Sequence, residues 1–111
     1  MDLVIERSGW LRGGAELIST LLSPATGRMC CLGFYALAYG YKREDIRGRT
    51  TPNSLDNPLM FPSTIITERG DSAQCGKLMK VNDDPELLAP QREQQLTTLF
   101  KEINVNVTFI D

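Results

Sequence analysis

From Met29 to Ala38 every position except Gly33 carries an apolar or aromatic side chain. A helix lying on a protein surface keeps a polar stripe, so a helix without one is buried on most sides. The run is too short to cross a bilayer, which takes about 20 apolar residues. We therefore read a buried central helix at about 29–40, with the rest of the chain packed around it. Gly33 inside it would let a neighbouring backbone approach closely. Gly40 stands where a helix C-terminal glycine belongs, and Lys42 and Arg43 follow to face the negative end of the helix dipole.

A second helix is written more conventionally. Leu96, Leu99, Phe100 and Ile103 fall on an i, i+3, i+4, i+7 stripe, which predicts a helix at about 90–102. Val105, Val107 and Phe109 then alternate with Asn104, Asn106 and Thr108, the period of a half-buried strand over 104–110. Its best partner is the apolar run Leu3-Val4-Ile5, a strand over residues 2–6, so the two ends of the chain should pair in one small sheet. Asp71 or Ser72 can cap a helix reaching Met79 or Lys80. Asp84-Pro85 reads as a further helix start. Trp10 to Gly14 reads as a loop with one large anchor, Pro24 to Gly27 as a turn, and Lys42 to Ile46 as a short turn with Ile46 facing inward. Pro52, Pro58 and Pro62 exclude a long helix between 47 and 71. One helical turn near Pro52–Leu55, an irregular loop through Phe61 and an extended piece at Ser63–Thr67 are expected there. Ala15, Leu17, Ile18, Leu21 and Leu22 fit a helical turn or an extended segment equally.

The expected fold class is a small single α+β domain covering residues 1–111. It has the buried central helix, a C-terminal helix and a small sheet of the N- and C-terminal strands. The expected core holds Ile5, Cys31, Leu32, Phe34, Tyr35, Leu37, Leu78, Leu96, Phe100 and Phe109. A chain of 111 residues can bury one such core without metal or disulfide support. Met1 to Glu6 has no basic segment leading into an apolar one, so no secretory leader is expected. Cys30, Cys31 and Cys75 are an odd number, two of them adjacent, which suits buried free thiols in a reducing cytoplasm.

Charge removes some function classes. Twelve basic residues face 14 acidic ones, a formal charge of −2. A binder of nucleic acid polymers should carry a basic excess to neutralise phosphates, and a membrane partner is not expected either. Residues 1–50 hold seven Lys/Arg against five Asp/Glu, and residues 51–111 hold five against nine. That is a mild dipole able to orient a partner.

Catalytic chemistry finds little to work with. There is no histidine, which removes Ser-His-Asp and Cys-His arrangements and every histidine-based metal site. Cys30 and Cys31 follow Arg28 at a helix start, yet their apolar neighbours suit core packing better than a nucleophile. Asn82-Asp83-Asp84-Pro85-Glu86 lacks the alternating ligands and central glycine of a calcium loop, and reads as a solvated, capped helix start. No catalytic residue, metal or cofactor is assigned. For binding, Gly13-Gly14 after Arg12 can present backbone amides to an anion, although it is not a P-loop. Trp10 is either a core anchor or a stacking face. Lys42, Arg43, Arg47 and Arg49 form a basic cluster interrupted by Glu44 and Asp45. Of these, Arg47 and Arg49 flank a glycine and could grip phosphate. The candidate ligand-binding set is Trp10, Arg12, Arg47 and Arg49.

The run Arg28-Met29-Cys30-Cys31-Leu32-Gly33-Phe34 joins several other segments: Trp10-Leu11-Arg12-Gly13 before it, Asp45-Ile46-Arg47-Gly48 and Thr51-Pro52 after it, and Leu78-Met79-Lys80-Val81-Asn82-Asp83. Together they resemble a set of small proteins encoded by bacteriophages and prophages. The resemblance covers most of the chain, with Asn57–Glu68 outside it. It implies a phage origin and assigns no activity or site. The expected function is that of a small accessory protein in the host cell cytoplasm that binds and inhibits a host defence protein without catalysis. A sponge for a small anionic nucleotide signal is the alternative, and a small enzyme using carboxylates or a thiol is the next. The open edges of so short a sheet also make a homo-oligomer an option.

Overall fold

The structure, a computed structural model, describes residues 1–14 and 19–111. Strand β1 (Asp2–Glu6) pairs with β2 (Asn106–Ile110) in a two-stranded sheet, as the terminal alternation predicts, and the pairing is parallel. Leu3 faces Val107 and Ile5 faces Phe109 across the ladder. Helices α1 (Cys31–Ala38) and α3 (Ala89–Lys101) pack against that sheet, and α2 (Ala73–Asp83) packs against both of them. The four residues Arg43–Ile46 form a helical turn that buries Ile46. A small antiparallel hairpin joins Ile66–Thr67 to Gly70–Asp71. No described helix is long and apolar enough to cross a membrane.

Helix α1 is central but shorter than expected, and it is not buried all round. Cys31, Leu32, Tyr35 and Ala36 are buried, with β1 and α2 packed against the helix and Phe100 and Phe61 against Tyr35. Phe34 and Leu37 are half-buried and Ala38 is exposed. Two turns of helix have one face toward the core, and Phe34 lies beyond its edge, over Gly9. Phe109 is likewise half-buried, because it lies on a two-stranded sheet whose margin nothing fully closes. These three expected core residues are therefore rim residues. Leu21, Ile46, Ile65 and Val105 replace them in the deep core.

The helix ends follow backbone chemistry. After α1, the Tyr41 amide donates to the Ala36 carbonyl and the Gly40 amide to Leu37, both at 3.1 Å, with Gly40 at φ +104°. Those backbone amides take the carbonyls that Lys42 and Arg43 were expected to face, and Lys42 and Arg43 instead open the next helical turn. The Ser72 hydroxyl caps α2 by accepting from the Cys75 amide at 3.0 Å. Asp84-Pro85 does not start a helix. The Asp84 carboxylate accepts from the Glu86 amide in a turn, and α3 begins at Ala89 with Pro90 in its first turn. The strand expected from residue 104 starts at Asn106. Asn104 takes the left-handed conformation, φ +63°, that closes α3. Ala15, Leu17 and Ile18 lie outside the described residues.

Candidate functional site

Trp10 is a core anchor. It is 1% exposed, its indole N–H donates to the Asn82 side-chain oxygen at 2.8 Å, and its ring centroid lies 5.1 Å from that of Phe109. The Arg12 guanidinium covers the ring at 4.4 Å and donates to the carbonyls of Arg7 and Trp10. Burial, with nearby Arg92, Arg28 and Arg7, pulls Arg12 below the ordinary arginine value. The Gly13 amide is already used, donating to the Asn82 carbonyl at 2.9 Å. Trp10 and Arg12 are thus together, with the indole face occupied by this chain's own guanidinium.

Arg47 and Arg49 point to different neighbours. Between them Gly48 adopts φ +73° and turns the chain. Arg49 donates to the Ser54 carbonyl at 2.9 Å and pairs with Asp56 at 3.1 Å. Arg47 lines a groove with Arg43, and neither Trp10, Arg12 nor Arg49 borders it.

Asn82, read from sequence as part of a solvated loop, is fully buried in the last turn of α2. Its oxygen accepts from Trp10 and from the Cys31 amide at 3.0 Å, and its nitrogen donates to the Leu11 carbonyl at 3.0 Å and to Asp83 at 2.9 Å. Arg92 completes the same junction. It is 5% exposed, and its guanidinium donates to four carbonyls: Val81 at 2.8 Å, Asn82 at 3.2 Å, Asp84 at 2.7 Å and Leu87 at 3.0 Å. A cation at the C-terminus of α2 meets the negative end of its dipole.

The thiols are poor nucleophiles. Cys30, Cys31 and Cys75 are all buried and free. Burial pushes Cys30 and Cys75 up to about 12 and Cys31 well above the usual thiol value. A thiolate is then scarce at neutral pH. Among the described residues no group of three cysteine, aspartate or glutamate side chains gathers to hold a metal ion.

Two surface grooves among the described residues bear on binding. One, of about 390 Å³, runs between α2 and α3. Val81 and Leu99 give it apolar contact, Lys77 and Lys80 border it on α2, and Gln94, Gln95 and Thr98 on α3. The other, of about 450 Å³, is the groove of Arg43 and Arg47. The loop 47–71 adds a small protrusion, where Leu59 is 77% and Met60 40% exposed. Two side chains are too small a patch to define an interface. Comparison with protein-family models, with curated proteins and with solved structures finds no match for this chain.

Proposed function

We propose that the protein acts by binding another protein, without a catalytic step, and that the α2–α3 groove is its contact surface. The carrying observation is the groove's anatomy: apolar Val81 and Leu99 within a polar rim bearing two lysines and, among the described residues, no acidic side chain. Protein interfaces share that plan, and a groove between two helices suits the apolar face of a third. Lys77 and Lys80 select an occupant with carboxylates beside its apolar stripe, an acidic amphipathic helix. A second copy docking its own groove would oppose lysine to lysine, so a partner of different sequence fits better. The resemblance to phage proteins supplies the context. The partner is a host protein in the bacterial cytoplasm, and occupying its acidic helix inhibits it.

The test is capture from host lysate by the wild-type protein and by a Lys77→Glu, Lys80→Glu variant, with a synthetic acidic amphipathic peptide as competitor. Both lysines border the surface groove, so the variant should melt like the wild type. The wild type should retain a partner that the peptide displaces and the variant loses. A partner held equally by both proteins would move the contact surface elsewhere. Turnover of a lysate metabolite by the wild type would replace binding with catalysis.

A further inference from the structure

The second groove has a different chemistry. Leu22, Ser23, Pro24 and Gly27 form one side, and Arg43, Glu44 and Arg47 the other. Its frame is fixed by backbone bonds. Gly48 donates to Leu22 at 2.9 Å, Ser23 to Arg28 at 2.8 Å and Gly27 to Ser23 at 2.8 Å. Buried Ile46 anchors the helical turn that carries Arg43.

The two guanidiniums stand four residues apart and border one space. Several other arginines are committed. Arg7 binds Glu93 and Asp111, Arg49 binds Asp56, and Arg92 holds four carbonyls. Arg43 has only a 3.3 Å bond to the Gly27 carbonyl, and the Arg47 guanidinium has no partner among the described residues. Two cations with spare donors in a preformed groove constitute an anion site, and guanidinium forks match phosphate oxygens.

We propose that this groove binds the sugar-phosphate part of a small ribonucleotide. Its volume, about 450 Å³, lies within the range of small-molecule sites. Glu44 decides between a bare phosphate and a sugar phosphate. It is the one carboxylate bordering the groove among the described residues, and it repels phosphate while accepting hydrogen bonds from hydroxyls. A ligand that brings ribose hydroxyls next to its phosphates satisfies Glu44 and both arginines, as acidic residues do for ribose in dinucleotide sites. Among the described residues no aromatic ring borders the groove, so the base is not stacked and is not read. The site shares no bordering residue with the α2–α3 groove, so either assignment can fail alone.

Calorimetry with ADP, GDP, the dideoxy form of ADP, inorganic pyrophosphate and a short single-stranded RNA tests this. ADP and GDP should bind within a few-fold of each other and more tightly than the dideoxy compound. Loss of the charge-assisted bonds of each guanidinium should weaken binding at least about tenfold, so Arg43→Ala with Arg47→Ala should cost about a hundredfold or more. Glu44→Gln should tighten pyrophosphate and remove the preference for ribose. The variants change border residues of an open groove, and an unchanged melting curve checks their fold. No heat from any nucleotide at millimolar concentration would overturn the proposal. So would binding that survives the double variant, strong preference for one base, or binding of the RNA alone.

Discussion

Replacing Gly33 by alanine separates packing from helix propensity, because the two predict opposite signs. In the interior of a helix, alanine is favoured over glycine by about 1 kcal/mol. In this fold a Cβ at residue 33 would lie 2.0 Å from the Leu21 carbonyl oxygen and 2.8 Å from the Met29 Cβ. Reaching ordinary contact at 3.4 Å requires that carbonyl to retreat by about 1.4 Å. Leu21 is not free to do so: its amide donates to Arg49 at 2.7 Å, the preceding Thr20 carbonyl accepts from Cys30, and the following Leu22 bridges Arg47. Overpacking costs about 1–3 kcal/mol, and two weakened hydrogen bonds add about 2 kcal/mol. Against a propensity gain of about 1 kcal/mol, the net loss is about 2–4 kcal/mol. At roughly 4 °C per kcal/mol for a domain of this size, the melting temperature should fall by about 8–16 °C. Calorimetric or circular-dichroism melting of Gly33→Ala measures it. A melting temperature equal to or above the wild type would refute the close approach of Leu21 to α1.

Two further predictions concern buried polar and ionisable groups. Asn82→Ala leaves the Trp10 indole N–H, the Cys31 amide and the Leu11 carbonyl without their partner, and should cost about 3–5 kcal/mol in urea unfolding; a midpoint close to wild type would mean that these groups find other partners. The thiols should make the fold sensitive to alkali. Their native pKa values are raised by burial, so their contribution is complete below the unfolded thiol value, about 8.5, and is lost as pH rises above it, because only the unfolded chain then ionises. Stability should fall on that side, and native-state thiol labelling should be no faster than unfolding; prompt labelling of any of the three at neutral pH contradicts the burial.

The sequence was most legible where a pattern repeats over a long element. The stripe Leu96, Leu99, Phe100 and Ile103 placed a helix over 90–102, one residue from the observed Ala89–Lys101. Alternation around Val107 and Phe109 found the strand and its partner. Such patterns report which side of an element is apolar, but not how wide a neighbour covers it. Phe34, Leu37 and Phe109 were therefore placed deeper than they lie. The same limit applies to polar residues. Asn82 stands beside Asp83 and Asp84, in a context that looks solvated, and nothing local states that Trp10 arrives from 72 residues away. The Arg43 and Arg47 spacing of four was visible, but the glycine between Arg47 and Arg49 suggested a flexible grip. In fact the left-handed Gly48 sends Arg49 to Asp56 and leaves Arg47 beside Arg43.

The buried junction also bears on binding. Lys77, Lys80 and Val81 border the α2–α3 groove, and the latter two lie within the second half of α2. That half would fray at an uncapped helix end, since its last carbonyls have no partners within the helix. Arg92 reaches from α3 to the carbonyls of Val81 and Asn82, while the Asn82 side chain ties the same turn to Leu11, Trp10 and the start of α1. At the other end Gln74 donates to the Leu99 carbonyl at 2.8 Å. The two helices are thus joined at both ends of the groove, by bonds that do not involve its bordering lysines. Under the proposed function, a partner would meet a cleft already held open and would lose less of its contact energy to ordering the surface it binds. The geometry of that cleft therefore depends on Arg92 and Asn82, two polar residues that do not border it.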